Sequence, residues 1–189
     1  MIPGLRLAAP RDEDTLRAEL REALDVDDAP TVVRYRKGSL PEPMPALTSV
    51  GDVDVLSDEA GDGSSSRLLI VGTGACAPDA IAAARRLGAD GISVTVVDPR
   101  WLVPISADLA RMAAGYDGVI TVEDGIVRGG FGWALRDALA QEDTPVRCLG
   151  VPQVLPEHGE RAQMIAEFGY DADGIEAAVR AQVERLARC

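Results

Sequence analysis

The chain has 189 residues, with 19 basic against 31 acidic side chains and a formal charge of −12. That balance repels phosphate backbones and anionic lipid, so binding to nucleic acid or a membrane surface is not expected. Hydrophobic residues make up 47% of the chain and aromatics 4%, so a core of Ala, Val, Leu and Ile is affordable and wholesale disorder is excluded.

In chain order, Leu5 to Ala9 reads as a short strand broken by Pro10. Asp12 or Asp14 caps a helix running to about Leu24. Its apolar positions Leu16, Leu20, Ala23 and Leu24 recur at helical spacing, which turns Arg17, Glu19, Arg21 and Glu22 towards solvent. Thr31 to Tyr35 is β-branched and apolar, a second strand. This strand–helix–strand unit, residues 1–38, buries too little surface to stand alone, so it is expected to be loosely held. Residues 39–66 read as a separator. Pro41, Pro43 and Pro45 impose extended backbone, Asp52 to Leu56 adds a short strand, and Gly61 to Ser66 reads as flexible.

From Arg67 to Cys189 strand and helix alternate. Strands are expected at Leu68–Val71, Ile92–Val97, Gly118–Val122 and Pro145–Leu149. Helices are expected at Pro78–Leu87, Ser106–Ala114, Gly130–Ala140, Glu160–Phe168 and Asp173–Ala187. Strands that are apolar without alternation are buried on both faces, so the fold class is α/β, a parallel-type sheet flanked by helices in three layers. No apolar run reaches the roughly 18 residues of a membrane span, and no signal peptide opens the chain. Cys76, Cys148 and Cys189 make neither a disulfide framework nor a zinc site, so a cytoplasmic location is expected.

Four motifs bear on chemistry. Gly72, Gly74 and Ala77 match G-x-G-x-x-A after a strand, and Asp98 ends the next strand where a ribose-binding acid lies in dinucleotide sites. The alternative is a tight strand-to-helix turn, which Pro78 favours. Arg34, Arg36 and Lys37, the last being the only lysine, crowd a strand end in an acidic chain. They suit a phosphate or carboxylate ligand, or else a solvated strand end. The loop from Glu123 to Gly132 has the glycines and helix start of an anion site, or of a packed connection. His158 is more simply a cap or packing residue than a catalyst, and nothing marks the cysteines as reactive.

The order of several segments resembles the 1-deoxy-D-xylulose-5-phosphate synthases. They are Ala9-Pro10-Arg11-Asp12, Ala29-Pro30-Thr31-Val32-Val33-Arg34-Tyr35-x-Lys37-Gly38, Leu69 to Gly74, Val97-Asp98-Pro99-Arg100-Trp101-Leu102, Ile120 to Gly125, Gly129 to Gly132 and Leu149 to Pro152. The resemblance implies the end of a pyrimidine-binding domain (1–38), a linker (39–66) and a transketolase C-terminal-like domain (67–189). That family joins pyruvate and glyceraldehyde 3-phosphate on thiamine diphosphate and magnesium, releases carbon dioxide and opens the non-mevalonate route to isoprenoids. Nothing in the chain resembles the family's metal motif or activating glutamate, so no catalytic, cofactor or metal residue is assigned and the chain alone is expected to be inactive. The position of Lys37 grips the substrate phosphate in the family. Arg34 and Arg36 flank it, and Arg36 stands where proline is usual. A two-fold homodimer, or a partner chain supplying the missing N-terminal domains, is expected. The rival readings are a scaffold or regulatory module pairing with a complete synthase, and a small NAD(P)-binding domain.

Overall fold

The computed structural model describes residues 2–61, 66–155 and 158–188. The expected flexible stretch therefore lies mostly outside the described residues, as does Cys189. The spine is a six-stranded sheet. Its three central strands are β5 (Leu68–Gly72), β6 (Val94–Asp98) and β8 (Gly118–Ile126). β5 lies between the other two and pairs parallel with both. β9 (Val146–Val151) adds in parallel beyond β8.

Leu68 and Ile70 enter the core on one face of the sheet, and Leu69 and Val71 that on the other. Each of these side chains is fully buried. That two-sided burial is why β5 reads as an unbroken apolar run.

α2 (Ala77–Ala89) and α6 (Ala172–Leu186) cover one face together with α5 (Arg161–Glu167). The small residues Ala80, Ala83 and Ala84 let α2 sit close to the sheet. A Cβ on Gly72 would lie 2.9 Å from that of Ala80, so the first glycine of the G-x-G serves helix–strand packing. α3 (Ala107–Ala114) and α4 (Phe131–Ala138) cover the opposite face through Leu109, Ala113, Phe131 and Leu135. The strand order β6-β5-β8-β9, with α2 on one face and α3 on the other, is a doubly wound arrangement whose direction reverses between β5 and β8.

Residues 39–66 hold the strand expected at Asp52–Leu56 and more besides. β3 (Thr48–Val50) and β4 (Val53–Glu59) form an antiparallel hairpin, and β4 pairs antiparallel with β6. The sheet is therefore mixed rather than parallel throughout. Val53 and Val55 lie in the core, so this stretch is structural.

The N-terminal unit has the expected strand–helix–strand order but makes more contacts with the main domain than expected. β1 (Arg6–Ala8) and β2 (Thr31–Val33) pair in parallel around α1 (Glu13–Leu24). β1 then pairs antiparallel with β7 (Trp101–Val103), a strand the sequence pattern does not reveal. Ala9 enters the core beneath α3 and α4, and its N–H donates to the Arg100 carbonyl at 2.8 Å. The unit is thus stitched to the main domain, not loosely attached.

Its helix is also rotated from the expected setting. Glu19, expected in solvent, has no exposed surface, whereas Leu20 and Leu24 are 45% and 85% exposed. The Glu19 carboxyl itself makes no hydrogen bond among the described residues; the ion pairs around it hold the helix in this setting. The inward face of α1 meets a charge cluster in which the Arg11 guanidinium bonds Asp54 at 2.8 Å and Asp98 at 3.1 Å. Beside it Arg100 bonds Glu22 at 2.9 Å, and the Trp101 indole N–H donates to the same carboxylate at 2.6 Å.

Candidate functional site

In doubly wound sheets ligands lie beyond the carboxyl ends of the strands, at the reversal point. Here that point lies beyond Gly72 of β5 and Val122 of β8, where Thr73 donates both its N–H and its hydroxyl to the Val122 carbonyl at 3.0 Å. A small cavity of about 100 Å³ opens there, lined by Thr73, Ala75, Asp124, Arg34 and Arg36 with Ala9 and Pro10. A neighbouring cavity of about 320 Å³ is lined by Arg36 and Lys37 with Pro10, Arg11, Leu16 and Ala75. The three cations predicted as a site therefore gather at the end of β2 over the reversal point. Arg36 borders both cavities, Arg34 only the smaller and Lys37 only the larger.

Arg36 and Lys37 are exposed and enter no hydrogen bond or ion pair among the described residues. Arg34 is exposed as well and lies by the Glu123 loop: a Cβ on Gly125 would stand 3.6 Å from its Nη1. Its charge helps hold down the Glu123 carboxyl against burial, which pushes that group up overall. Arg11 reaches the larger cavity but is committed to Asp54 and Asp98. A cavity of about 810 Å³ lies elsewhere, between Ile2–Arg6 and Trp101–Pro104. Its one cation, Arg6, pairs with Asp28 at 3.4 Å, so it lacks the cationic rim of the strand-end cavities.

The other sequence candidates are taken up by the fold. Gly74 has φ +48°, and a Cβ there would fall 2.6 Å from the Ala9 carbonyl oxygen and 3.1 Å from that of Pro10. The chain's own backbone thus lies against the turn where a dinucleotide would set its pyrophosphate, and carbonyl oxygens repel phosphate. Asp98, the would-be ribose acid, is wholly buried and bound by Arg11 and by the Arg100 N–H at 3.0 Å. Burial pushes its carboxyl up to about 6, with Arg11 only partly offsetting this, so it is ionised at neutral pH.

The glycine-rich loop is likewise filled from within. The Glu123 carboxylate accepts from the N–H groups of Phe131 at 2.9 Å and Gly132 at 3.0 Å, so a side chain of the chain itself caps α4. This capping role was not read from the sequence. The signal available was an acid at the end of a strand with glycines leading back to a helix start. Asp124 next to it binds Arg161 at 3.0 Å and the Tyr170 hydroxyl at 3.3 Å, which ties the C-terminal helices to β8. His158 is exposed. Cys76 is buried and its thiol is pushed up to about 12 by burial; burial also raises Cys148. Both are therefore thiols at neutral pH.

The fold defines a class: a doubly wound α/β domain joined to a smaller α/β unit whose strand end carries three cations beside the reversal point. The chain belongs to the transketolase family, its residues 62–175 matching the transketolase C-terminal domain. It is 46% identical over 190 residues to a 1-deoxy-D-xylulose-5-phosphate synthase of Corynebacterium glutamicum strain R, covering 98% of this chain and 30% of that protein. It is 47% identical over 171 residues to the synthase of Mycobacterium tuberculosis H37Ra, covering 89% of this chain and 27% of that protein. Among solved structures, a split-gene transketolase described as an inactive β4 tetramer superposes with a TM-score of 0.80 at 28% identity, over 97% of this chain and 59% of the other. The chain is thus homologous to the C-terminal part of these synthases and spans about 30% of their length. Among the described residues no helix is long and apolar enough to cross a membrane.

Proposed function

We propose that the chain acts as the C-terminal part of a thiamine diphosphate-dependent 1-deoxy-D-xylulose-5-phosphate synthase, presenting Lys37, with Arg36 and Arg34 beside it, to the phosphate of glyceraldehyde 3-phosphate. The observation that carries this is the pairing of near-complete coverage of this chain with 30% coverage of the synthase it matches. The unpaired cations at the end of β2 support the phosphate role, because a charge-assisted contact gains most where no carboxylate competes. Arg36 borders both cavities, so it can follow a phosphate from either side.

When bound, thiamine diphosphate supplies a carbanion equivalent at its thiazolium ring. Nothing in this chain resembles the family's metal motif or activating glutamate, so in this reading cofactor and metal fall to polypeptide equivalent to the upstream part of the synthases, and a dimer through this domain completes the proposed assembly. What this chain contributes is substrate orientation and the closed α/β platform beneath the site.

The test is complementation. The chain is mixed with a polypeptide spanning the upstream part of the C. glutamicum synthase, and carbon dioxide release from pyruvate is followed with glyceraldehyde 3-phosphate present. Activity is expected only in the mixture. There Lys37→Ala should raise KM for glyceraldehyde 3-phosphate by roughly 30- to 100-fold, equivalent to about 2–3 kcal/mol, with little change for pyruvate. Pyruvate decarboxylation by the chain alone would overturn the proposal.

A further inference from the structure

A further cavity, of about 410 Å³, is walled by β9, the edge strand of the large sheet, and by α4 and α6. Those helices lie on opposite faces of the sheet, so the cavity sits at its edge. Arg136 of α4, Arg147 of β9 and Arg185 of α6 line it, and no carboxylate does. Three cations without an acid stand out in a chain of 31 acidic and 19 basic residues. Arg136 and Arg147 are exposed and enter no ion pair among the described residues. The Arg136 guanidinium lies 4.5 Å from the centroid of the Trp133 ring, which also lines the cavity. Stacking holds that guanidinium by its face and leaves the N–H donors in its plane for a ligand.

A second observation points the same way. Gln182 lines this cavity, is only 4% exposed, and its Nε2 has no hydrogen-bond partner among the described residues. A buried amide donor left unpaired is costly, so an oxygen that meets it gains a full hydrogen bond. The last torsion of a carboxamide is broad, which lets the amide turn to an incoming oxygen. The amide lies by the first residue of β8: a Cβ on Gly118 would stand 3.0 Å from Nε2. That is the end of the sheet opposite to the reversal point, so this cavity is separate from the strand-end cations. We infer that it is a binding site for a small phosphate-bearing anion. The guanidinium forks take the phosphate oxygens, and Gln182 donates to one of them. The inference does not depend on the proposed function, because every residue it uses belongs to this chain.

The experiment uses the full chain carrying Arg36→Ala and Lys37→Ala, which removes competition from the strand-end cations. Inorganic phosphate and inorganic diphosphate are titrated at a matched ionic strength of about 0.15 M, where loose surface attraction is screened. Affinity is read by calorimetry and location by the indole N–H resonances of the two tryptophans. Saturable binding with a Kd at or below roughly 1 mM is expected. Diphosphate should bind more tightly than phosphate, and the Trp133 resonance should move while that of Trp101 stays. Adding Arg136→Gln/Arg147→Gln should weaken diphosphate binding at least about 10-fold. Because both arginines are exposed, the urea midpoint should hold. Gln182→Met keeps the length of the side chain without its amide. It should weaken binding about 3- to 10-fold, the worth of one neutral hydrogen bond, with a urea midpoint at or above that of the parent chain. Failure of both anions to move the Trp133 resonance would overturn the inference. Affinity unchanged in the arginine variant would place the anion elsewhere and overturn it equally.

Discussion

Glu19 gives the sharpest test of how the N-terminal unit is held. Its carboxyl is fully buried, and both oxygens lack a hydrogen-bond partner among the described residues. Burial pushes it up from 4.5 to about 9, Asp98 and Glu22 push the same way, and Arg100 and Arg11 oppose them. The folded chain therefore carries a proton that the unfolded chain releases at neutral pH. A group raised on folding stabilises fully below its unfolded pKa and loses that contribution as pH rises through the folded one. At about 1.4 kcal/mol per pH unit, the loss is roughly 3 kcal/mol by pH 7 and roughly 6 kcal/mol by pH 9. Glu19→Gln removes the titration while keeping the shape. Its stability relative to wild type should rise with pH across the window from 4.5 to 9 and level off above. Urea unfolding read by Trp101 fluorescence from pH 5 to 9 measures this, since the Trp101 indole N–H donates to Glu22 within the same cluster. The buried amide adds a constant offset, and Asp98 is shared by both chains, so the difference in slope is the diagnostic. Parallel stability–pH curves would refute the reasoning.

Three further perturbations probe the same framework. Arg11→Met leaves Asp98 buried without its cation and should cost about 3–5 kcal/mol at pH 8; without Arg11 the Asp98 carboxyl is raised further, so the deficit should shrink as pH falls towards about 6 and level off below it, where Asp98 is protonated in both chains. Gly74→Ala sets a Cβ against the Ala9 carbonyl at φ +48°, and should lower the urea midpoint by an amount equal to about 2 kcal/mol or more. It should also speed hydrogen exchange at the Ala9 amide, which bonds the Arg100 carbonyl. Glu123→Ala strips both acceptors from the start of α4 and should cost about 1–3 kcal/mol in the same assay, with exchange rising first at Phe131 and Gly132.

The central α/β order was legible because its strands are apolar on both faces and its helices carry local start signals. Ser106, for example, caps α3 by accepting from the N–H groups of Asp108 and Leu109. What stayed hidden depends on partners far along the chain. β7 is three residues long, too short for a period, and is a strand only because β1 lies beside it. The orientation of α1 follows its pattern only if nothing stronger intervenes, and the Arg11–Asp98 pair, 87 positions apart in sequence, does intervene. Of the hairpin in 39–66, β4 was expected as a strand at Asp52–Leu56, whereas its partner β3 was obscured by the prolines. They precede β3, and the segment they stiffen is pinned by the Arg11 side chain on the Met44 carbonyl and by the Met44 N–H on Asp12.

The candidate site shows the same division between local chemistry and long-range competition. Both glycine-rich turns have the local form of an anion site, and both are used internally: the Ala9–Pro10 backbone lies against one, and the Glu123 carboxylate caps the other. A motif states what a turn could bind. Whether a ligand can reach it depends on what the rest of the chain has already placed there. By the same standard the strand-end cations gain weight. In a chain with 31 acids and 19 bases, chance should leave a cation near a carboxylate. Yet Arg36 and Lys37 border a cavity whose acid, Asp12, spends its carboxylate on the N–H groups of Thr15 and Met44. Those two bonds hold the Asp12 carboxyl below its ordinary range, so it neither needs nor seeks a cation. The cavities at the end of β2 are thus bordered by more cations than carboxylates inside a protein that is negative overall, an arrangement that suits an anionic ligand.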